Sequence, residues 1–161
     1  MSDFLYKPKS IAPIYFAANN GTAGVTFDIS SETLVVIFDH VSLQSGVGYS
    51  LTGGEITIEK AGKYFFDWCA FTAGASFNTS STDEVWFDIS VNNVEKLASQ
   101  QEKKSASKTE RIGAFNVSGT IELAVGDIVR PRIRRDSGGQ TTWNLDVGAG
   151  KNTFCFWRTS S

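Results

Sequence analysis

The chain has 161 residues, a formal net charge of −2 and 41% hydrophobic residues, enough for one self-sufficient core. A balance so close to neutral provides no basic field for nucleic acid or an anionic membrane surface, and no apolar run approaches the roughly 18 residues that span a bilayer. Twelve Phe and four Trp suit a core of large flat side chains, while two cysteines, Cys69 and Cys155, are too few for a disulfide framework or a zinc centre and read as free buried thiols.

The first thirteen residues, MSDFLYKPKSIAP, are mostly polar and carry two prolines. They read as an extended arm, with Phe4, Tyr6, Lys7 and Lys9 as the side chains available to a docking surface, followed by a single domain over 14–161. The arm has no long apolar stretch and is not expected to be a signal peptide. Residues 14–19 form a short strand closed by the turn pair Asn20-Gly21, and 25–29 and 33–41 follow as strands. Thr33, Val35, Val36, Ile37 and Val41 are β-branched and favour strand over helix there. Gly46, Gly48, Gly53 and Gly54 punctuate a loop-rich stretch before the alternating strand 55–59.

Ala61-Gly62 turns the chain into 63–71, where Tyr64, Phe66, Trp68 and Ala70 share one face and Phe65, Asp67, Cys69 and Phe71 the other. Both faces are largely apolar, so both are expected to be covered. A Ser/Thr-rich loop at 76–82 precedes strand 85–91, with Val85, Phe87, Ile89 and Val91 inward, and Asn92-Asn93 is a hairpin turn. Residues 97–110 are strongly hydrophilic, lack aromatics and read as a solvated loop. Strands resume at 112–117 and 120–124; Val125-Gly126-Asp127 turns into 128–134, and strands 140–147 and 153–158 close the chain. In 128–134 the side chains of Arg130, Arg132 and Arg134 share a face, opposite Val129, Pro131 and Ile133. Pro131 lacks an N–H, which predicts an edge or bulged strand. About ten short strands without a helix point to an all-β, ten-stranded jelly-roll β-sandwich.

No constellation of reactive groups stands out. His40, the only histidine, has no nucleophile with a backing acid near it in the sequence. Glu84 and Asp88 share a strand face and read as a solvated rim, and Asp127, Asp136 and Asp146 read as turn aspartates, not as a calcium loop. Gly148-Ala149-Gly150-Lys151 lacks the full phosphate-loop pattern. The expectation is a non-enzymatic protein without a cofactor or a metal.

Three motifs carry a family resemblance: AGKYFFDWCAF (61–71), GTIELAVGDIVRPRIRR (119–135) and TFCFWR (153–158). In order and spacing they resemble the globular head of the first complement component's q subunit and, more loosely, the tumour necrosis factor family. IEKAGKYFFDW is similar to that family's turn into an aromatic strand, ELAVGDIVRPRI to its strand, Gly-Asp turn and second strand, and IFDHVSLQSGVGYSL (37–51) to the stretch before the aromatic strand. The resemblance covers 14–158, and Gly62, Tyr64, Phe66, Gly126 and Asp127 carry most of it. The chain departs from the family in lacking a collagen-like stalk and in placing Pro131 and three arginines where apolar residues are usual.

The resemblance implies a ten-stranded tumour necrosis factor-like jelly roll packed as a tight homotrimer, with one sheet of each subunit lining the threefold contact; a closed cyclic assembly would also cover the second face of 63–71. It places the aromatic strand beside the last strand, so that Cys69 and Cys155 could pair if their Cα atoms lie within about 7 Å. Phe65, Asp67, Arg130, Arg132 and Arg134 are then candidates for the trimer interface or for anion binding. The arginines either form a solvated, salt-bridged face, or line an inter-subunit funnel and pair with Asp67 or Asp88, or bind an anion or glycan. On the funnel reading Arg132→Ala loosens the trimer. The expected function is that of a bacteriophage virion structural protein, a capsid decoration (cement) protein or short fibre tip. It would be made in the host cytoplasm and contact capsid or tail proteins and a host surface glycan, with neither nucleic-acid binding nor membrane insertion. The alternative is a soluble, complement-head-like glycan-binding module, secreted by a route not visible in the sequence.

Overall fold

A computed structural model describes residues 14–19, 26–28, 33–35, 40–45, 48–73, 82–104, 113–137, 142–145 and 152–160. Among them lie thirteen strands: β1 (Tyr15–Asn19), β2 (Thr26–Asp28), β3 (Thr33–Val35), β4 (His40–Gln44), β5 (Tyr49–Thr52), β6 (Glu55–Ile58), β7 (Gly62–Ala73), β8 (Thr82–Val91), β9 (Val94–Lys104), β10 (Gly113–Leu123), β11 (Ile128–Ser137), β12 (Thr142–Leu145) and β13 (Asn152–Ser160). They form two antiparallel sheets. Sheet A runs β2-β12-β7-β13-β1-β4, with β10 on the free side of β7; sheet B runs β5-β6-β11-β8-β9, with β3 also on β11.

Period-two alternation explains why these sheets stack. From β7, Tyr64, Phe66, Trp68 and Ala70 are fully buried, and Phe154 and Phe156 of β13 join them in the space between the sheets. Sheet B answers with Ile56, Ile58, Phe87, Ile89, Val129 and Ile133. The aromatics knit the layers together. Phe87 of sheet B stacks on Phe115 of sheet A, and Trp68 stands edge-on to both at 5.8 and 5.2 Å. The expected inward faces of 63–71 and 85–91 are thus the core faces, at every position described.

Three expectations about strand bounds change. Of the hydrophilic stretch 97–110, residues 97–104 are not a loop: they lie in β9, paired with β8 from Val94 to Lys104, while 105–110 lie outside the described residues. β9 is the outermost strand of sheet B and its described residues supply one apolar side chain to the core edge, Leu97. Charged side chains such as Glu95 and Lys96 suit an edge strand, where they discourage pairing with other chains. Leu97 fits there because Gly119 of β10 has no side chain; a Cβ on Gly119 would stand 2.7 Å from Leu97 Cδ2. A second strand, β5, lies in the Gly-punctuated stretch and pairs with β6. Finally, the two strands expected at 112–117 and 120–124 are one over their described part: β10, 113–123, runs unbroken along β7 through Ser118 and Gly119.

Strand β11 is interior, not an edge, and its register shift falls between Arg135 and Ser137, away from Pro131. On one side it pairs with β8; on the other, β6 lies opposite Ile128 and Val129, and β3 opposite Arg132 to Arg134. Pro131 sits in the interval between those two neighbours. A residue without an N–H is tolerated in mid-sheet where the flanking strand changes. The arm residues Phe4, Tyr6, Lys7 and Lys9 and the turn at Asn20-Gly21 lie outside the described residues.

Candidate functional site

Because each sheet has one face on the core, its other face is what the chain offers to a partner. The sequence candidates fall on both outer faces. Phe65 and Asp67 lie on the outer face of sheet A, and Arg130, Arg132 and Arg134 lie on the outer face of sheet B, across the whole core from them. The fold therefore does not bring the five together.

On sheet B the arginines alternate with the buried Val129, Pro131 and Ile133. Arg132 is registered opposite Asp88, one strand away. Arg132 donates from Nε to Asp88 Oδ1 at 2.8 Å, and Arg134 donates from Nε to Asp88 Oδ2. Asp88 is 0% exposed, so it is not part of a solvated rim: both carboxylate oxygens are satisfied under a roof of two guanidinium groups. Arg134 also pairs with Glu95 and lies over the Trp86 ring at 5.9 Å. Arg130 pairs with Glu55 at 2.7 Å and donates to Asn93 Oδ1 at 3.1 Å. Three cations meet three carboxylates. The network is salt-bridged within the chain, and pairing with Asp88 is realised where pairing with Asp67 is not.

The adjoining end of the sandwich explains two other motifs. Asn92 and Asn93 have φ of +51° and +68°, the two-residue turn that matches strand twist. Gly126 adopts φ +89° in the turn between β10 and β11. Asp127 joins the two turns: its Oδ2 accepts from the Ala124 N–H and its Oδ1 from Asn92 Nδ2, both at 2.8 Å. Asn92 Oδ1 in turn accepts from the Ile128 N–H at 3.0 Å. Asp127 is a turn clamp.

Sheet A presents a different surface. Strand pairing lines up Tyr15 of β1, Trp157 of β13 and Phe65 of β7 in one row. The Phe65 and Trp157 rings lie 4.6 Å apart, centre to centre, and Trp157 remains 42% exposed. The next row is Ala17, Cys155, Asp67 and Ser118, and the next Asn19, Thr153, Cys69 and Asn116. Asn116 Nδ2 donates to Asp67 Oδ1 at 2.8 Å. Cys69 and Cys155 are half-buried free thiols on neighbouring strands, each opposite the other's neighbour two residues along, a diagonal relation. Burial pushes both thiols above the ordinary value of 9.0, and the Asp67 carboxylate adds to the rise.

Trp157, Tyr15 and Cys155 belong to this face and were not among the sequence candidates. For Cys155 and Trp157 the signal was present in the alternation of TFCFWR, which sends Phe154 and Phe156 inward and Cys155 and Trp157 outward. Asn116 as the partner of Asp67 has no such signal, because it depends on the register of β10 against β7. Among the described residues, no group of three or more His, Cys, Asp or Glu is placed to hold a metal ion.

No protein family model matches the sequence, and no curated protein matches it. Solved structures do resemble the fold. The crystal structure of murine APRIL at pH 8.5 superposes with a TM-score of 0.60 at 13% identity, covering 91% of this chain and 98% of that one. Murine APRIL at pH 5.0 and at pH 8.0 gives TM-scores of 0.59 and 0.56 over the same shares of each chain, at 12% and 13% identity. At such identities the likeness concerns the fold alone, a tumour necrosis factor-like jelly roll.

Proposed function

We propose that this chain is a non-enzymatic structural protein that assembles as a homotrimer through the outer face of sheet A. We propose further that the trimer serves on a bacteriophage virion as a capsid decoration protein or short fibre tip. The observation that carries the assembly is the row Tyr15, Trp157 and Phe65. A Trp 42% exposed against a half-buried Phe, on a sheet whose other face is already sealed in the core, is a surface made to be covered. The thiols and small side chains beside that row leave room for close approach. A copy of the same chain is the occupant that closes such a face by rotational symmetry, and the family resemblance implies a threefold.

A threefold assembly matches the symmetry of a capsid threefold position or of a fibre tip, which supports the virion role. The face of sheet B, with its charges paired internally, is then the outward surface. The test is imaging of the purified protein and of purified particles that contain it. A trimer docked at a fixed position on the particle supports the proposal. A trimer that binds an immobilised glycan array and is absent from particles favours the recognition module instead, and a monomer at micromolar concentration overturns both.

A further inference from the structure

Among the described residues Arg130, Arg132 and Arg134 each meet a carboxylate on sheet B, whereas Arg158, near the end of β13, forms no ion pair. Its guanidinium lies against the turn between β6 and β7: Nη2 donates to the Ala61 carbonyl, and Nε is buried without an acceptor. Gly62, at φ +148°, makes room for it, because a Cβ there would stand 2.5 Å from Nε. The carbonyls on either side of Ala61 and Gly62 are also tied down. Tyr64 Oη donates to the Lys60 carbonyl at 2.6 Å, and Thr159 Oγ1 donates to the Lys63 carbonyl at 3.0 Å. The backbone at 60–63 is thus fixed, while the side chains of Lys60 and Lys63 are exposed and form no ion pair among the described residues. Two carboxylates lie close in chain or register, Glu59 beside Lys60 and Glu122 opposite Lys63, and neither closes an ion pair. Asp127 spends both oxygens on the two turns it joins. The N-terminal arm starts from this same corner. The Arg158 N–H donates to the Ile14 carbonyl at 2.9 Å, which fixes the point where residues 1–13 join the domain. Lys7 and Lys9 precede that point, with no acidic residue from 4 to 13.

We propose that Arg158, Lys60 and Lys63 together with the arm's Lys7 and Lys9 form one cationic docking site, and that its partner is a carboxylate-rich protein surface. The partner's place, a capsid or tail protein under the trimer, rests on the virion reading above; its chemistry rests on the charges. The chain as a whole carries −2, so a corner of unanswered positive charge runs against the overall sign and orients the protomer toward an acidic partner. Arg158 offers a planar fork already held in place, and the lysines add mobile point charges around it. Phe4, Leu5 and Tyr6 stand beside the arm lysines in the sequence, and they call for apolar contacts that a protein surface provides. Lys60 and Arg158 belong to the strand ends, not to the rows of sheet A that self-assembly would cover. Exposed ion pairs are individually weak, so the site works by number, and salt weakens it.

The experiment is titration of the full chain with fluorescently labelled poly-L-glutamate, read by anisotropy, beside alginate as an anionic polysaccharide. Wild-type binding of poly-L-glutamate is expected, weakening as salt rises. Lys60→Glu and the double variant Lys7→Gln/Lys9→Gln are each expected to weaken it by about fivefold or more, at unchanged melting temperature and sedimentation. Arg158→Gln should weaken it as well, but it also frees the Ala61 carbonyl, so the lysine variants decide. A wild type that does not bind poly-L-glutamate overturns the proposal, and so do lysine variants that bind as the wild type does. Binding of alginate without poly-L-glutamate overturns the choice of a protein partner. Particle imaging separates this site from the virion reading. A chain that binds poly-L-glutamate at this corner yet is absent from particles overturns the virion role and leaves the site. A trimer docked on particles by another surface overturns the site and leaves the virion role.

Discussion

On the outer face of sheet B three arginines meet Glu55, Asp88 and Glu95 within the chain, and Asp88 is completely covered. On the outer face of sheet A one carboxylate, Asp67, lies beside two thiols and an aromatic row, with Asn116 as its only described hydrogen-bond donor. The same sandwich carries one face whose polar groups are answered internally and one whose polar and aromatic groups are answered only in part. Charge on a strand face does not by itself mark a contact surface. What separates the two faces is whether the register of neighbouring strands supplies the counter-charge. On sheet B, the pairing of Arg132 with Asp88 does so; on sheet A, Asp67 is registered opposite Ser118 and Cys155.

The largest effect should come from breaking the closed face. Asp88→Ala leaves two guanidinium groups over an empty buried position and is expected to destabilise the protomer by about 3–5 kcal/mol, read by chemical unfolding. Arg132→Ala should act in the same direction, lowering stability without changing the assembly state. That revises the expectation, drawn from sequence, that this substitution loosens a trimer. If it dissociated the assembly at unchanged protomer stability, the separation of roles between the faces would fail.

Next in size, Trp157→Ala removes the exposed anchor of sheet A. It should weaken self-association by at least about 2 kcal/mol, roughly thirtyfold, while the unfolding midpoint of the protomer moves little. Asp127→Ala, at the turn end of sheet B and away from sheet A's outer face, should cost about 1–2 kcal/mol of stability by freeing the Ala124 N–H and the Asn92 amide, with no change in association. The smallest effect concerns the thiols. With both values raised above 9.0, Cys69 and Cys155 stay neutral near pH 8 and should alkylate more slowly than an unhindered cysteine. Asp67→Asn should speed both reactions by removing a charge that opposes the thiolate. The sign for stability is the same for both: a raised thiol value stabilises the fold below the ordinary value, and that contribution is lost as pH climbs above about 9.

Much of this comparison was legible in the sequence, for a physical reason. Alternation assigns each side chain to a face without knowledge of neighbours, so the inward sets of 63–71 and 85–91 and the shared face of Arg130, Arg132 and Arg134 followed from the chain alone. The Asn92-Asn93 hairpin was legible because only a few residue types tolerate its backbone. What was hidden depends on pairing. That Arg134 meets Glu95, or Asp67 meets Asn116, is a fact about strands far apart in sequence. β9 was hidden because an edge strand needs few apolar residues: among its described residues Leu97 alone reaches the core edge, and the charges around it look like loop. Pro131 misled because the sequence does not show that β6 and β3 share one side of β11 and leave an interval for it.

The central claim is that sheet A's outer face is the contact surface and sheet B's is not. Sedimentation velocity at micromolar concentration on the wild type, Trp157→Asp and Arg132→Ala tests it directly. The account predicts a trimer for the wild type, a folded monomer for Trp157→Asp and a trimer of lower melting temperature for Arg132→Ala. A wild-type monomer, or a Trp157→Asp protein that remains trimeric, would contradict it.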